Sequence, residues 1–144
     1  MKSIPQVQKY MTTTPYAINA ESTIQEAQEM MKKHGIRHLP VRDGEKYGVV
    51  SDRDIKYAMS LSGFDVKSAK VRDICEETPY ITKPDASISA VSAELAERRV
   101  GSALIMDNQH LVGIYTTTDA CRALSDLCEN RLDSHKEIKN TKES

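Results

Sequence analysis

The sequence predicts a mixed α/β (α+β) protein made of two half-domains in tandem, related by a pseudo-two-fold axis, with small sheets flanked by helices. Three observations carry this. First, the chain repeats itself. Thr14-Pro15-Tyr16 returns as Thr78-Pro79-Tyr80 at an offset of 64, and the same offset takes Val7 to Val71, Ile24 to Ile88, Ile36 to Val100 and Val41 to Ile105. Beyond the next turn the offset is 65, taking Gly48 to Gly113, Ser51 to Thr116 and Asp54 to Asp119. The inserted residue is expected in the turn itself, where an insertion moves no core position. Second, each copy reads helix, strand, strand, helix. Third, a unit of about 60 residues buries too little surface to be stable alone, whereas two packed together form a workable core. The expected division is a first unit over 1–62, a linker over 63–70, a second unit over 71–128 and a polar tail over 129–144.

Each copy opens with a short amphipathic lead-in, Val7 and Met11 in the first and Val71, Ile74 and Cys75 in the second. Thr-Pro follows, and the proline forces the residue before it into an extended conformation. A helix comes next. In copy one Ser22 or Thr23 caps it, with Gln25 or Glu26 as reciprocal partner. Ile24, Ala27, Met30 and Met31 fall at helical spacing, and Gly35 stops the helix after Lys32 and Lys33. Copy two has Ile88, Val91, Leu95 and Ala96 at that spacing and ends at Arg98-Arg99. These basic pairs suit a solvated helix end that complements the dipole. Two strands follow, over 36–41 and 47–50 in copy one, joined through Asp43-Gly44, a strong hairpin signal. Copy two has 100–106 and 111–115 around Asp107-Asn108. A second helix completes each copy, over 53–59 and 119–128. The tail from Glu129 is polar and charged, and reads as a helix extension or an unfolded segment.

The chain has 144 residues, 39% hydrophobic and 28% charged, with a formal net charge of −1. That balance gives no bulk field for nucleic acid or an anionic membrane. No apolar run approaches the roughly 20 residues needed to cross a bilayer, and Met1-Lys2-Ser3-Ile4-Pro5-Gln6 lacks the apolar stretch of a secretory signal. Cys75, Cys121 and Cys128 form no CxxC, and any disulfide would leave one unpaired. A reducing, cytoplasmic setting is expected, with the thiols as small buried hydrophobes.

Catalysis needs a poised nucleophile, an acid–base pair or a metal, and none converges here. His34 and His38 have the spacing of a helical zinc pair, but Gly35 and the strand pattern from Ile36 put a break between them. His110 falls in a turn and His135 in the tail, away from any cysteine cluster. GxSxG, GxxxxGK[ST] and GxGxxG are absent. The expectation is a protein without an enzyme activity.

What stands out is the end of each second strand. Copy one reads Gly48-Val49-Val50-Ser51-Asp52-Arg53-Asp54, and copy two reads Gly113-Ile114-Tyr115-Thr116-Thr117-Thr118-Asp119. Such a turn suits a ribonucleotide. A carboxylate accepts hydrogen bonds from ribose hydroxyls, hydroxyls and free backbone N–H groups at a helix start suit phosphate, and a glycine lets backbone approach closely. Ser/Thr-x-x-Asp before an apolar helix is also an ordinary capping box. The spacing leaves both roles open.

The double pattern resembles a pair of CBS motifs, the family named after the regulatory domain of cystathionine beta-synthase. The residues that carry the resemblance are Val7-Gln8-Lys9-Tyr10-Met11 with Thr14-Pro15, Ile36-Arg37-His38-Leu39-Pro40-Val41 and Gly48 to Asp54. In copy two they are Val71-Arg72-Asp73-Ile74-Cys75, Thr78-Pro79, the 100–106 strand and Gly113 to Asp119. The resemblance spans residues 4–128. It implies a tandem pair, or Bateman module, of the stand-alone type. Such a pair binds AMP, ADP, ATP or S-adenosylmethionine in clefts between the repeats. Carried over, it puts Ser51 and Asp54, and Thr116 and Asp119, on ribose and phosphate. Tyr16, Ile36 and Pro40, and Tyr80, Val100 and Ala103, become candidates for the adenine side.

The copies differ in charge. Copy one has Arg37, His38 and Arg53 as phosphate partners. Copy two has Gly101, Ser102 and Thr118 at those positions, and Leu104 where copy one has Pro40. Arginine's fork suits phosphate, so the first cleft is expected to prefer the more phosphorylated ligand. The expected function is a nucleotide sensor that biases a regulated partner protein, with no catalytic cofactor and no metal. The resemblance also implies pairing through outer helices into a homodimer, for which Met30, Met31 and Met59 are candidate contacts, with core burial equally open for each. Two other readings remain. One is a structural interaction module whose aspartates only cap helices. The other is nucleic-acid binding, which near-neutral charge and seven aromatics disfavour.

Overall fold

The computed structural model describes the backbone of residues 3–13 and 15–143, and side chains as far as residue 130. Thr14, and the side chain of His135, lie outside the described residues.

The first repeat contributes β1 (Thr12–Thr13), β2 (Ile18–Asn19), α1 (Ile24–His34), β3 (His38–Asp43), β4 (Lys46–Ser51) and α2 (Asp52–Met59). The second contributes β5 (Ile81–Thr82), α3 (Ile88–Arg98), β6 (Ser102–Asp107), β7 (His110–Thr116) and α4 (Thr117–Glu143). Short 3-10 turns at Val7–Lys9 and Val71–Asp73 form the two lead-ins. The strands make one sheet ordered β2-β3-β4 and another ordered β1-β7-β6-β5. The tail continues α4 as helix to Glu143.

The first helix of each repeat is closed the same way. Thr23 Oγ1 accepts from the Glu26 N–H, and Ser87 Oγ from the Ala90 N–H, which satisfies a helix N–H that has no partner within its own helix. At the other end Gly35 (φ 63°) and Arg99 (φ 57°) turn left-handed. The N–H groups of Ile36 and Val100 then reach back to the carbonyls of Met31 and Leu95. That return bond, typical of a left-handed cap, explains why the strands start at His38 and Ser102 rather than at 36 and 100. Ile36 and Val100 finish the helix.

Each hairpin has a two-residue loop, Gly44-Glu45 and Asn108-Gln109, with left-handed φ at Gly44, Asn108 and Gln109. The inserted residue is therefore not in the turn, as the repeat offset suggested. It is a bulge in β7. Ile105 pairs with Gly113 and Met106 with Leu111, so Val112 is the extra residue. A bulge absorbs one residue without reversing which side chains face the core.

Two apolar clusters form the core. One gathers Ile18, Ile24, Ala27, Met31, Leu39, Val41, Val50 and Ile55; the other gathers Ile88, Val91, Leu95, Ala103, Ile105 and Tyr115. The lead-ins cross between them. Val7 packs in the second cluster and Val71 in the first, both fully buried. Val7 N–H donates to the Ala86 carbonyl and Val71 N–H to that of Ser22. β1 pairs with β7, and Glu76 bridges to Val49 in the matching place. Each half is thus completed by chain from the other.

Two expectations need correcting, and the alternative left open for the methionines is decided. Ala96 is exposed, because the buried stripe of α3 runs through Ile88, Val91 and Leu95. Met31 is a core residue and Met30 packs against the core, so of the three methionines only Met59 lies on the surface. Cys121 and Cys128 are exposed on the outer face of α4 and Cys75 is half-buried; all three are free thiols.

Candidate functional site

The β4–α2 and β7–α4 junctions present the motif residues. At the first, Ser51 caps α2: its Oγ accepts from the Asp54 N–H at 3.0 Å, and Asp54 Oδ2 accepts from the Ser51 N–H at 2.9 Å. At the second, Asp119 Oδ2 accepts from the Thr116 N–H at 2.9 Å and Thr116 Oγ1 accepts from the Asp119 N–H at 3.4 Å. Both aspartates therefore form reciprocal capping boxes, which hold each carboxylate at the mouth of its helix.

The two boxes differ in what they leave over. Thr116 Oγ1 also lies 3.2 Å from Asp119 Oδ2, and Arg122 Nη1 lies 3.1 Å from Oδ1. With 4% of its surface exposed, Asp119 is fully engaged. Asp54 is half-buried, and among the described residues no donor reaches its Oδ1. The Ser51 hydroxyl proton has no acceptor there either. The first junction thus keeps one free acceptor and one free donor.

Around it, His38 sits opposite Ser51 in the β3–β4 ladder. Its imidazole rests on the second repeat: a Cβ built on Gly101 would lie 2.7 Å from His38 Nε2. Burial pushes the imidazole pKa below its ordinary value, Asp54 and Asp52 pull it upward, and Arg37 adds to the lowering. The Arg37 carbonyl accepts the Asp52 N–H at 2.8 Å. Arg53 and Asp54 line an open cavity of about 400 Å³ together with Tyr57, Leu61, Asp73 and Ile74. Ile36 and Arg37 line a second, of about 460 Å³, with Lys32, Gly35 and Asp52. Of the residues predicted for the first cleft, Arg53 and Asp54 line one depression and Ile36 and Arg37 the other, while Ser51, His38, Tyr16 and Pro40 line neither.

The tyrosines after Thr-Pro behave alike. Tyr16 is exposed and stacks on His34 with ring centroids 3.6 Å apart, and Tyr80 lies under the Arg98 guanidinium at 4.5 Å. His34 and Arg98 occupy matching positions at the ends of α1 and α3. Pro40 and Ala103, carried over as adenine-side residues, have fully buried side chains in the sheets. Val100 is 40% exposed and Thr118 is exposed. Arg122 and Tyr57 escaped the sequence reading. Arg122 was legible in principle, because three residues along a helix put it beside Asp119.

The glycines of the motif do not serve the cleft directly. A Cβ on Gly48 would lie 2.6 Å from the Glu76 carbonyl oxygen, and one on Gly113 would collide with the Met11 side chain. Both make room for the crossing lead-in.

Among the described residues no group of three or more His, Cys, Asp or Glu side chains could hold a metal ion. No helix among them is long and apolar enough to cross a membrane.

Duplicated half-domains, lead-ins exchanged between them and a hydroxyl-x-x-Asp turn at each second helix define a tandem α/β pair of the Bateman type. The chain belongs to the CBS-domain family, whose model matches residues 7–61 and 71–126. It is 30% identical over 127 residues to the CBS domain-containing protein YhcV of Bacillus subtilis, covering 88% of this chain and 85% of that one. Hypoxic response protein 1 of Mycobacterium tuberculosis is 28% identical over 123 residues, covering 79% and 86%. Among solved structures, the CBS domain pair of protein MJ0100, in complex with 5′-methylthioadenosine and S-adenosyl-L-methionine, shares the fold. Its TM-score is 0.78 at 22% identity, over 86% of this chain and 98% of that one.

Proposed function

We propose that this protein is a regulatory sensor, without an activity of its own, that binds an adenosine-type nucleotide and biases a partner protein. The ligand is AMP, ADP, ATP or S-adenosylmethionine, and its principal seat is the first-repeat cleft at Ser51 and Asp54. The observation that carries the reading is the free Asp54 Oδ1 beside the free Ser51 hydroxyl at the start of α2. A ribose diol supplies the donors that Oδ1 lacks; Arg53 lines the same depression as Asp54 and Arg37 the neighbouring one, and with His38 they are the candidate partners for a phosphate. The ligands of the MJ0100 pair add support. The second cleft, with Thr116, Thr118 and Asp119, takes ligand weakly, takes a neutral adenosine moiety, or stays empty. Exposed Tyr57, Met59, Leu124 and Leu127 on α2 and α4 fit a homodimer paired through these outer helices. The setting is cytoplasmic, and nucleic acid is not the partner.

Thermal unfolding with each of the four ligands, with guanine nucleotides as controls, tests this. A ligand at ~100 times its dissociation constant adds about 2.7 kcal/mol, a rise of several degrees for a chain this size. A rise with adenine ligands alone supports the sensor. No rise up to millimolar ligand supports the second reading, an interaction module. That reading has the two self-satisfied capping boxes in its favour.

A further inference from the structure

His38 is a titratable side chain that lies opposite Ser51 in the β3–β4 ladder and packs against the second repeat at Gly101. Its ring occupies the space that a Gly101 side chain would fill, which blocks its retreat on that side. Among the described residues neither ring nitrogen has a hydrogen-bond partner; Nε2 faces Gly101, which leaves Nδ1, on the other side of the ring, as the nitrogen for a ligand. The groups facing it can be named. Asp54 and Asp52 come from α2, Arg37 from the segment leading into its own strand, and Gly101 from the second repeat brings no charge. The free site therefore holds a half-buried imidazole between two carboxylates and one guanidinium. A phosphate bound beside it adds further negative charge to a poorly solvated spot, and such charge favours the imidazolium.

We infer that the first cleft takes up a phosphate-bearing nucleotide together with one proton, carried by His38, so that ligand sensing is coupled to pH. The inference rests on the nucleotide reading above. In the free protein burial favours neutral His38 at pH 7. In the complex the ring is charged and donates to the phosphate. Affinity for AMP then rises as pH falls, by up to about tenfold per pH unit, whereas adenosine binds independently of this group.

The test is isothermal titration calorimetry with AMP and with adenosine at pH 7, in two buffers of different ionisation enthalpy. Wild type, His38→Gln and Gly101→Ala are compared after unfolding curves confirm that they fold. The expected result is uptake of about one proton more per AMP in wild type than in His38→Gln. That difference removes the titration of the phosphate itself, and adenosine should show no such difference. Gly101→Ala, which pushes the ring from its seat, should lose the extra proton while leaving the imidazole chemically intact. Equal proton uptake by wild type and His38→Gln overturns the inference and leaves the nucleotide reading standing. Absence of AMP and adenosine binding in every variant overturns that reading, and the inference with it.

Discussion

The two repeats build the same turn at the start of their second helix and leave it in different states. At Ser51-Asp54 the carboxylate closes one hydrogen bond with the helix and keeps an oxygen free. At Thr116-Asp119 the hydroxyl, the backbone and Arg122 together engage both oxygens. First-repeat Tyr57, at the position matching Arg122, leaves Asp54 alone. Duplication thus preserves the frame, while single residues around it decide whether a polar group answers to the protein or to a ligand. The cores diverge in the same manner. Fully buried Tyr115 hydrogen-bonds Ser92 at 2.8 Å, whereas the first core has Val50 in place of the tyrosine.

The comparison is sharpened most by the glycines under the crossing lead-ins. Gly48→Ala drives a methyl into the rigid Glu76 backbone and should cost about 3 kcal/mol in urea unfolding. Gly113→Ala meets the flexible Met11 side chain and should cost about 1 kcal/mol. Equal costs would mean that the two crossings are equally deformable. Next comes Ser92→Ala, which strands a buried Tyr115 hydroxyl and should cost about 2 kcal/mol. The matching first-repeat residue, Gln28, is half-buried and donates to Met59 Sδ, and Gln28→Ala should change little. The helix caps give opposite signs at matching positions. Gly35→Ala should lose about 1 kcal/mol and Arg99→Gly should gain up to about 1 kcal/mol, because both positions are left-handed and only one holds a glycine.

The smallest effect concerns the exposed ion pairs that tie the second lead-in to the first repeat. Lys70 and Arg72 bind Glu21, and Arg72 also binds Asp43. Hydrogen bonds from Lys70 and then Arg72 hold the Glu21 carboxyl below its ordinary value of 4.5. A folded-state pKa below the unfolded one gives stability that is present above pH 4.5 and lost as pH falls through the lowered value. Glu21→Gln should therefore flatten the acid limb of a stability–pH curve and lower neutral stability by the same small amount. An unchanged acid limb would show that the pairs contribute nothing.

Much of this was legible in the chain. Helical spacing located α1 and α3 to within a residue, helped in α1 by Gly35 and by Thr23, one of two cap candidates; Ser87, which caps α3, was not read from the sequence. Strand starts were not, because Ile36 and Val100 look like strand residues and act as the last link of a cap. The exchange of lead-ins was hidden. Val7 and Val71 are the same residue type at matching places, and nothing local says which core each enters. At the site, the hydroxyl-x-x-Asp pattern located both junctions, but which carboxylate oxygen stays free depends on packing and on Arg122. Pro40 and Ala103 show the same limit: a strand position named from a motif does not reveal that its side chain is enclosed by the sheet and the helices over it.

The measurement that bears most directly on the account is equilibrium dialysis of AMP, ATP and S-adenosylmethionine against wild type, Asp54→Ala and Asp119→Ala. Both substitutions remove a capping-box carboxylate, and Asp119→Ala removes the more deeply buried and more heavily bonded one, so a structural effect alone would weaken binding most in that variant. Asp54→Ala should abolish nucleotide binding while Asp119→Ala retains it. Equal losses in both variants, or binding that survives Asp54→Ala, would contradict it.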